Sequence, residues 1–481
     1  MRWTRIRILP VAVLLLLFAS AAPPAAPRPN LLLIYADDLG WKDVGYQGSD
    51  FHETPNIDRL AQQGMVFTQA YAGAANCAPS RAVLLAGQYT PRHAVYAVNS
   101  THRGPTHLMR MIPIANRSGL PPSTVTLADA LKSAGYATGI FGKWHLGGKD
   151  GAAPKEQGFD VVFDSRAPNP NTRRDQPDDP KGIYSLTRAA ISFIENKRNR
   201  PFFAFVSHHA IHTALEARPS SLAKFQAKKP GQQHRDPLYA ACLNDLDDGV
   251  GLLLETLEQL GLAENTLVVF TSDNGGTQRS SQEPLRGSKG GYYEGGIREP
   301  FIVRWPGVVK PGGRSAVPVH QVDLYPTFLA AAGADVARGY SLDGESLLPL
   351  LKANGELRRK AIFWHFPGYL DTPVIRGRDP VFRTRPVSVI RKGDWKLHLY
   401  HEEWQLDGGR ERIASNRAVE LYHIASDVGE WRDVAGTERR KRDELLDDLL
   451  AWMEAIKAPL PVERNPAHAP EPSSSEKRPP Q

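Results

Sequence analysis

Four short apolar runs along the chain are each followed by polar residues that can carry chemistry. Continuous apolar runs of this length predict strands that are buried on both faces of a sheet. Because parallel strands end at the same edge of their sheet, we expect the polar residues after them to gather at that edge. The four runs with their polar ends are Leu31 to Ala36 with Asp37-Asp38, Ala137 to Phe141 with Gly142-Lys143-Trp144-His145, Pro201 to Val206 with His208, His209 and His212, and Thr266 to Thr271 with Asp273-Asn274.

Helical segments with recognisable ends lie between these strands. Thr54 and Pro55 predict the start of a helix from Asn56 to Gln63, and Gly64 predicts its end. The alternation of strands and helices predicts an α/β fold, in which a large, mostly parallel sheet is sandwiched by helices. Two further helices are predicted, from Leu127 to Ala134 and from about Asp236 to Leu260.

The pattern changes after about Leu350. Alternating apolar and polar positions in Val387 to Ile390 and in Trp395 to Tyr400 predict a small antiparallel sheet. An amphipathic helix from Asp443 to Ile456 is expected to pack on that sheet. This last part of the chain therefore predicts a smaller domain of the α+β class.

The chain divides into four predicted segments: a secretion signal at residues 1–21, the α/β domain at 28–355, the C-terminal α+β domain at 356–457 and a disordered tail at 458–481. The tail is rich in proline, serine and charge. The signal has three arginines, then an apolar stretch from Ile8 to Phe18. That stretch is too short to span a bilayer comfortably, which disfavours a membrane anchor. We expect export without stable membrane insertion, to the periplasm, the extracellular space or, in a eukaryote, the lysosome.

Composition narrows the partners only slightly. The 481 residues include 59 Lys and Arg against 52 Asp and Glu, which gives a formal net charge of +7. A mild basic excess suits an ordinary solvated surface and would also suit a polyanionic substrate. Nucleic acid is disfavoured, because the basic residues are dispersed and the chain contains no recognised nucleic-acid-binding module. The sequence does not specify the oligomeric state.

The chain has two cysteines, Cys77 and Cys242. In an exported protein, that count alone is compatible with a single disulfide. Their surroundings differ, however. Cys77 precedes Pro79 and Arg81 in a segment of small residues, so we expect it to be exposed in a cationic environment. Cys242 lies in an apolar helical run and is expected to pack as a small hydrophobic residue.

Asp37, Asp38, Asp273 and Asn274 lie at two predicted strand ends and offer hard oxygen ligands. Oxygen ligands without sulfur or imidazole suit Ca²⁺ or Mg²⁺ rather than Zn²⁺. Either pair alone could be ordinary turn or cap residues. Both pairs at strand ends favour one shared divalent cation.

Two motifs resemble those of the type I, formylglycine-dependent sulfatases, the arylsulfatases and glycosaminoglycan sulfatases of the alkaline phosphatase superfamily. The first is Cys77-Ala78-Pro79-Ser80-Arg81 followed by Gly87, and the second is the glycine-rich stretch from Arg286 to Pro300 around Lys289. The resemblance implies that a formylglycine-generating enzyme oxidises Cys77 to an aldehyde. It also implies that Asp37, Asp38, Asp273 and Asn274, with residue 77, hold one divalent cation, Ca²⁺ in the first instance or Mg²⁺.

The same resemblance implies a catalytic set of Cys77, Arg81, Lys143, His145, His212 and Lys289. Arg81 and Lys143 would neutralise the hydrated aldehyde, and His145 would assist it. His212 or Lys289 would protonate the leaving alcohol, although His208 and His209 leave the alignment at His212 ambiguous. The implied reaction is hydrolysis of sulfate monoesters through a covalent sulfo-enzyme intermediate, with sulfated carbohydrates as natural substrates and aryl sulfates as artificial ones.

Two other functions stay open at the level of sequence. A phosphomonoester or phosphonate-ester hydrolase could use the same fold, but such enzymes typically hold two metals and only one ligand set is evident. A secreted protein that binds polyanions without catalysis is the other alternative. The loops expected to form the pocket walls, Tyr96 to Ser118, Asp164 to Asp179 and His365 to Arg383, contain no motif that identifies the substrate.

Overall fold

A computed structural model describes residues 28–148, 151–164 and 177–469. The predicted secretion signal lies outside these residues. The described strands are β1 (Asn30–Ala36), β2 (Met65–Phe67), β3 (Ala70–Tyr71), β4 (Ala137–Gly142), β5 (Val161–Phe163), β6 (Phe202–Ser207), β7 (Thr266–Ser272), β8 (Phe301–Arg304), β9 (Gly313–Ser315), β10 (Val319–His320), β11 (Ala361–Phe366), β12 (Leu370–Asp371), β13 (Phe382–Thr384), β14 (Val387–Lys392), β15 (Trp395–Tyr400) and β16 (Val419–His423). The helices are α1 (Pro55–Gln63), α2 (Cys77–Ala86), α3 (Thr90–His93), α4 (Leu127–Ser133), α5 (Ile183–Lys197), α6 (Pro219–Ala227), α7 (Pro237–Gln259), α8 (Glu294–Ile297), α9 (Leu324–Ala332), α10 (Leu348–Leu351), α11 (His401–Leu406) and α12 (Arg439–Ala455).

Eight strands form the main sheet, in the order β5-β4-β6-β1-β7-β8-β2-β9. The first five strands in this order, which are β5, β4, β6, β1 and β7, run parallel to one another. Strand β8 is antiparallel to both of its neighbours, β7 and β2, and β9 pairs with β2 in parallel. The predicted large, mostly parallel sheet is therefore confirmed, and the four predicted strands are β1, β4, β6 and β7.

Strand β1 shows how the sheet is buried on both faces. Its side chains alternate between faces, as in any strand. Leu31 and Leu33 pack into the core that contains α2, α4 and α9, whereas Leu32 and Ile34 pack into the core that contains α1, α5 and α7. The continuous apolar run of β1 thus contributes side chains to a core on each face of the sheet, which confirms the prediction that helices cover both faces.

The C-terminal sheet is antiparallel, in the order β11-β14-β15-β16. Helix α12 packs on one face, where Leu445 and Leu449 meet Leu397. The opposite face packs against the main domain, where Trp364 belongs to the same cluster as Tyr292. The predicted small sheet with its amphipathic helix is confirmed, and the domain boundary near residue 355 stays a prediction.

A fully buried ion-pair network joins the C-terminal sheet to the main domain. Lys396 on β15 places its Nζ 3.0 Å from Glu294 Oε1 and 2.9 Å from Glu430 Oε1, and all three side chains are inaccessible to solvent. The backbone N–H of Glu294 donates to Glu430 Oε2 at 2.6 Å. Because Glu294 begins α8, the network fixes the segment that immediately follows Lys289.

Replacing Lys396 with methionine is expected to lower the free energy of unfolding by about 3–5 kcal/mol, because two buried carboxylates lose their shared cation. Urea denaturation measures this change. Lys392→Met is the matched control, since Lys392 on the neighbouring strand pairs with Glu444 and Asp448 at a partly exposed position. The control is expected to lose less than about 1 kcal/mol. Equal losses of unfolding free energy in the two variants would contradict the larger contribution expected of the buried network.

Residues 458–469, which belong to the predicted disordered tail, contact the main domain. There the chain returns to the main domain, where the N–H of Ile112 donates to Glu463 O at 2.9 Å and the N–H of Asn465 donates to Arg110 O at 3.0 Å. Asn465 Nδ2 also donates to Thr106 O at 2.8 Å. These bonds are made with a distant segment, so the local composition gave no sign of them. Residues 470–481 lie outside the described part of the chain.

Across the described residues, we find no helix that combines the length and the apolar character needed to cross a membrane.

Candidate active site

Two strand ends supply the acidic residues of the site. Strands β1 and β7 are parallel neighbours, so Asp37 and Asp38 emerge beside Asp273 and Asn274. The N–H of Asp38 donates to Asp273 Oδ1 at 3.1 Å, and Asn274 Nδ2 donates to Asp38 Oδ1 at 2.9 Å. Asp38 has a φ of 66°, a left-handed conformation that non-glycine residues rarely adopt and that recurs at functional sites. The sheet therefore brings the four predicted ligand residues together.

Cys77 is the first residue of α2 and points at these carboxylates. Its Sγ lies 3.5 Å from Asp37 Oδ1 and 3.8 Å from Asp38 Oδ1. The expectation that Cys77 is exposed is wrong, because only 1% of it is accessible to solvent. Two strand ends and the start of a helix enclose it, and small neighbouring residues in the sequence do not report this enclosure. Both Cys77 and Cys242 are free, which excludes the disulfide between them in this structure.

Arg81 lies one helical turn after Cys77 and is completely buried. Its Nε and Nη2 donate to Asp273 Oδ2 at 3.1 and 2.9 Å. Its Nη1 donates to Ser207 Oγ at 2.5 Å, and its guanidinium lies 5.1 Å from the ring centroid of Tyr35. Ser207 and Tyr35 were not among the residues predicted from the sequence. Ser207 ends β6 directly before the histidine cluster, and its place at a strand end is the signal that could have revealed it.

Two lysines complete the ring of charge around Cys77. Lys143 Nζ lies 2.5 Å from Asp37 Oδ2, and Lys289 Nζ lies 2.6 Å from Asp38 Oδ1. Lys143 reaches this place because Gly142 approaches the neighbouring strand closely. A Cβ at residue 142 would lie 2.0 Å from Ser207 O, and its φ of 109° disfavours any side chain. The structure thus joins both predicted lysines to the carboxylates.

The charges shift the pKa values of the site in opposite directions. Burial opposes ionisation of Asp37, but Lys143 and then Arg81 outweigh it and hold the pKa of this carboxyl well below its ordinary value. Burial and the charge of Asp37 raise the pKa of Asp273 to about 6. Burial raises the pKa of the Cys77 thiol, so the unmodified residue is a poor nucleophile.

His145 lies beside the same charges. Burial, followed by the positive charges of Lys143 and Arg81, lowers the pKa of His145 to about 3, which keeps its imidazole neutral. The residue has a φ of 63°, another left-handed conformation at this site. Its Nδ1 is buried and has no hydrogen-bond partner within the described chain.

Of the three histidines after β6, His212 reaches the carboxylates, with its Nε2 at 3.8 Å from Asp38 Oδ2. Its Nδ1 lies 2.5 Å from Thr213 O, so this nitrogen carries a proton. His209 Nε2 instead lies 2.8 Å from Asp164 Oδ1. His208 is fully buried. Of the three histidines, His212 is therefore the one whose ring lies near the acidic residues of the site.

The acidic residues fit a divalent cation. Ligand atoms of Asp37, Asp38, Asp273 and Cys77 all lie within 4.8 Å of one another. Asn274 Oδ1 is buried and has no hydrogen-bond partner among the residues described, as expected for an oxygen that faces an ion. Three carboxylates and an amide oxygen favour a hard cation. Residue 77 and the two lysines border the same space.

Three basic side chains and a candidate cation site surround buried residue 77, and together they could stabilise the negative charge that develops when a sulfate or phosphate ester is cleaved. Together with an α/β sheet covered by helices on both faces, this arrangement is typical of an ester hydrolase that holds a divalent cation.

Comparison with known proteins identifies the family. The "Sulfatase" family model matches residues 29–334, and the model "N-sulphoglucosamine sulphohydrolase, C-terminal" matches residues 288–408. The chain therefore belongs to the sulfatase family and is a sulfuric ester hydrolase.

Individual relatives agree with this assignment over most of the chain. Arylsulfatase A of Homo sapiens is 33% identical, with 92% of this chain and 91% of the relative covered. N-acetylgalactosamine-6-sulfatase of Homo sapiens is 34% identical, with 72% and 69% covered. The solved structure of Ps i-CgsB in complex with k-i-k-neocarrahexaose matches with a TM-score of 0.69 and 30% identity, over 89% of this chain and 92% of that one.

Proposed function

We propose that the protein hydrolyses sulfate monoesters of carbohydrates, with residue 77 as the nucleophile after its oxidation to formylglycine. The observation that carries this proposal is the position of Cys77, whose Sγ lies between Asp37 and Asp38 at the carboxyl edge of the sheet. Here Sγ stands where an oxygen of the hydrated aldehyde would stand. The sugar specificity is supported by the relative named N-acetylgalactosamine-6-sulfatase.

Asp37, Asp38, Asp273 and Asn274, with residue 77, would hold the divalent cation. Their oxygen ligands favour Ca²⁺, with Mg²⁺ as the alternative. When bound, the cation lowers the pKa of a neighbouring hydroxyl and offsets negative charge on the sulfate.

The basic residues have distinct roles in the proposed reaction. One hydroxyl of hydrated residue 77 would lose its proton to solvent and attack sulfur while the S–O bond to the sugar breaks, which would leave a sulfo-enzyme. Arg81 and Lys143 neutralise the charge on residue 77. His212 or Lys289 gives a proton to the departing alcohol. The second hydroxyl of residue 77 then loses its proton with help from His145, the aldehyde re-forms, and sulfate leaves.

Maturation and export belong to the same proposal. A formylglycine-generating enzyme would oxidise Cys77, and the predicted secretion signal would carry the protein to the periplasm, the extracellular space or the lysosome. Aryl sulfates would serve as artificial substrates.

Mass spectrometry of the peptide containing residue 77 tests the proposal, on protein made in a host that has the modifying enzyme. The expected result is an aldehyde at residue 77 together with release of sulfate from 4-nitrophenyl sulfate. Sulfate release by a preparation whose residue 77 is entirely thiol would contradict the mechanism. Faster turnover of 4-nitrophenyl phosphate than of the sulfate would favour the phosphate-ester alternative.

The Lys289→Ala variant tests the proton donor. A positioned general acid contributes most when the leaving group is poor. We expect kcat/KM to fall about a hundredfold for a sugar sulfate and about tenfold or less for 4-nitrophenyl sulfate. Lys310→Ala, at an exposed position of the same domain, is the control and should lose nothing on either substrate. Equal losses on both substrates would remove Lys289 from the acid role.

A further inference from the structure

Arg383 contacts the loop that presents Lys289. It lies on β13, which pairs with β12, in a segment that contains no recognised sequence motif. Its Nη1 donates to Lys289 O at 3.3 Å, and its Nε donates to Thr372 O at 3.1 Å. Lys289 in turn reaches Asp38 with its side chain. The guanidinium of Arg383 thus lies against the backbone of a residue whose side chain is in the catalytic centre.

Gly290 allows this close approach. Its φ is 89°, and a Cβ there would lie 2.1 Å from Arg383 Cδ, so only glycine leaves room for the arginine side chain. The N–H of Gly290 donates to Ala75 O at 2.7 Å, two residues before Cys77. Arg383 therefore packs against the backbone of Lys289 and Gly290, and Gly290 in turn contacts Ala75, which lies just before α2. These contacts form one wall of the site.

The charge of Arg383 lacks a counterion within the described residues. Its donors contact two backbone carbonyls, and no described carboxylate lies within ion-pair distance of it. Other arginines of the same region are paired: Arg103 with Asp371 at 2.6 Å, Arg378 with Glu403 at 2.7 Å and Arg385 with Glu402 at 2.8 Å. Burial and then the positive charge of Arg103 lower the pKa of Arg383, and the carboxylates of Asp371 and Asp38 offset this only in part.

We propose that Arg383 binds a second anionic group of the substrate, beside the sulfate that is cleaved, and so selects substrates that carry two negative charges. This inference rests on the proposed function of the site. The planar guanidinium can donate to two oxygens of one anion at once, and a carboxylate or a second sulfate offers such a pair. A half-buried cation without a counterion gains from binding an anion, because the anion offsets its lost hydration.

Binding measurements in an inactive background test this proposal without relying on turnover. Isothermal titration calorimetry on the Cys77→Ala variant would compare three probes: N-acetylglucosamine 6-sulfate, with one anionic group; D-glucosamine-2-N,6-O-disulfate, with a second sulfate; and a uronate-linked disaccharide 6-sulfate, with a carboxylate. We expect at least one probe with two anionic groups to bind about tenfold more tightly than the first, the gain of one charge-assisted hydrogen bond. The probe that gains shows whether the second group is sulfate or carboxylate.

Adding Arg383→Gln should abolish this preference. Adding Arg383→Lys should keep part of it, because lysine retains the positive charge but cannot donate two parallel hydrogen bonds to one anion. Arg410→Gln, which removes an exposed arginine paired with Asp447, is the control and should leave the preference intact. Thermal unfolding of each variant verifies its fold. Equal affinity for all probes in the Cys77→Ala background, or a preference that survives Arg383→Gln, would overturn the role of Arg383. Failure of the wild-type enzyme to hydrolyse any sulfate ester would instead count against the proposed function.

Discussion

The Cys77→Ala variant is expected to fold normally and to release sulfate at least about a thousandfold more slowly than the wild-type enzyme. The proposed reaction begins with an oxygen on residue 77, and alanine offers none. The fold should survive, because the two hydrogen bonds that the Cys77 thiol donates, to Asp37 at 3.5 Å and to Asp38 at 3.8 Å, are weak. Initial rates with 4-nitrophenyl sulfate measure the loss, and circular dichroism measures the fold.

Cys242→Ala is the matched control for this experiment. Cys242 is also buried and free, but it lies within α7, in the apolar core. Its replacement should lower the free energy of unfolding by about 1 kcal/mol and leave kcat within about twofold of wild type. Comparable sulfate release by the two variants would exclude residue 77 as the nucleophile.

Asp273→Asn is expected to abolish both turnover and the stabilisation of the protein by Ca²⁺. The substitution removes a charged ligand of the proposed cation and leaves Arg81 buried without its partner, since both side chains of that ion pair are inaccessible to solvent. An uncompensated buried charge costs about 3–5 kcal/mol of unfolding free energy. Wild-type protein should gain about 2.7 kcal/mol when free Ca²⁺ is a hundredfold above its Kd.

Thermal unfolding with and without Ca²⁺, after treatment with a chelator, measures this response. Asp335→Asn, at an exposed position, is the control and should show the wild-type rise in Tm. If Asp273→Asn showed the same rise as the control, Asp273 would not be a ligand. A response to Mg²⁺ but not to Ca²⁺ would identify Mg²⁺ as the bound ion.

Much of the fold could be predicted because its signals are local. The apolar run of β1 extends over a strand that is buried on both faces, and its predicted bounds differ from the observed ones by one residue. Thr126 and Asp129 form a complete capping box at the start of α4, which begins at Leu127 as predicted. Strands β2 and β8, in contrast, have only three and four residues and are too short to show a period.

The candidate catalytic residues, whose roles stay a prediction, could be named from the sequence because they lie at strand ends and in specific motifs. The surroundings of these residues could not be predicted from the sequence, because burial and ion pairing depend on segments that are distant in the chain. Cys77 is enclosed by β1 and β7, neither of which is near it in sequence. Arg383 meets the Lys289 backbone across 94 positions of the chain, and no local pattern encodes that contact.

Because Cys77 is enclosed in the folded protein, the order of its proposed oxidation and of folding becomes important. The enzyme that is proposed to oxidise Cys77 would have to bring its active site to the sulfur, and in the folded protein almost none of this residue is accessible to solvent. Under the proposed maturation, oxidation would therefore have to precede folding, and a chain that folds first would keep an unmodified thiol. A preparation should contain a fixed inert fraction, set while the chains were being made, that later incubation of the native protein with the oxidising enzyme does not convert.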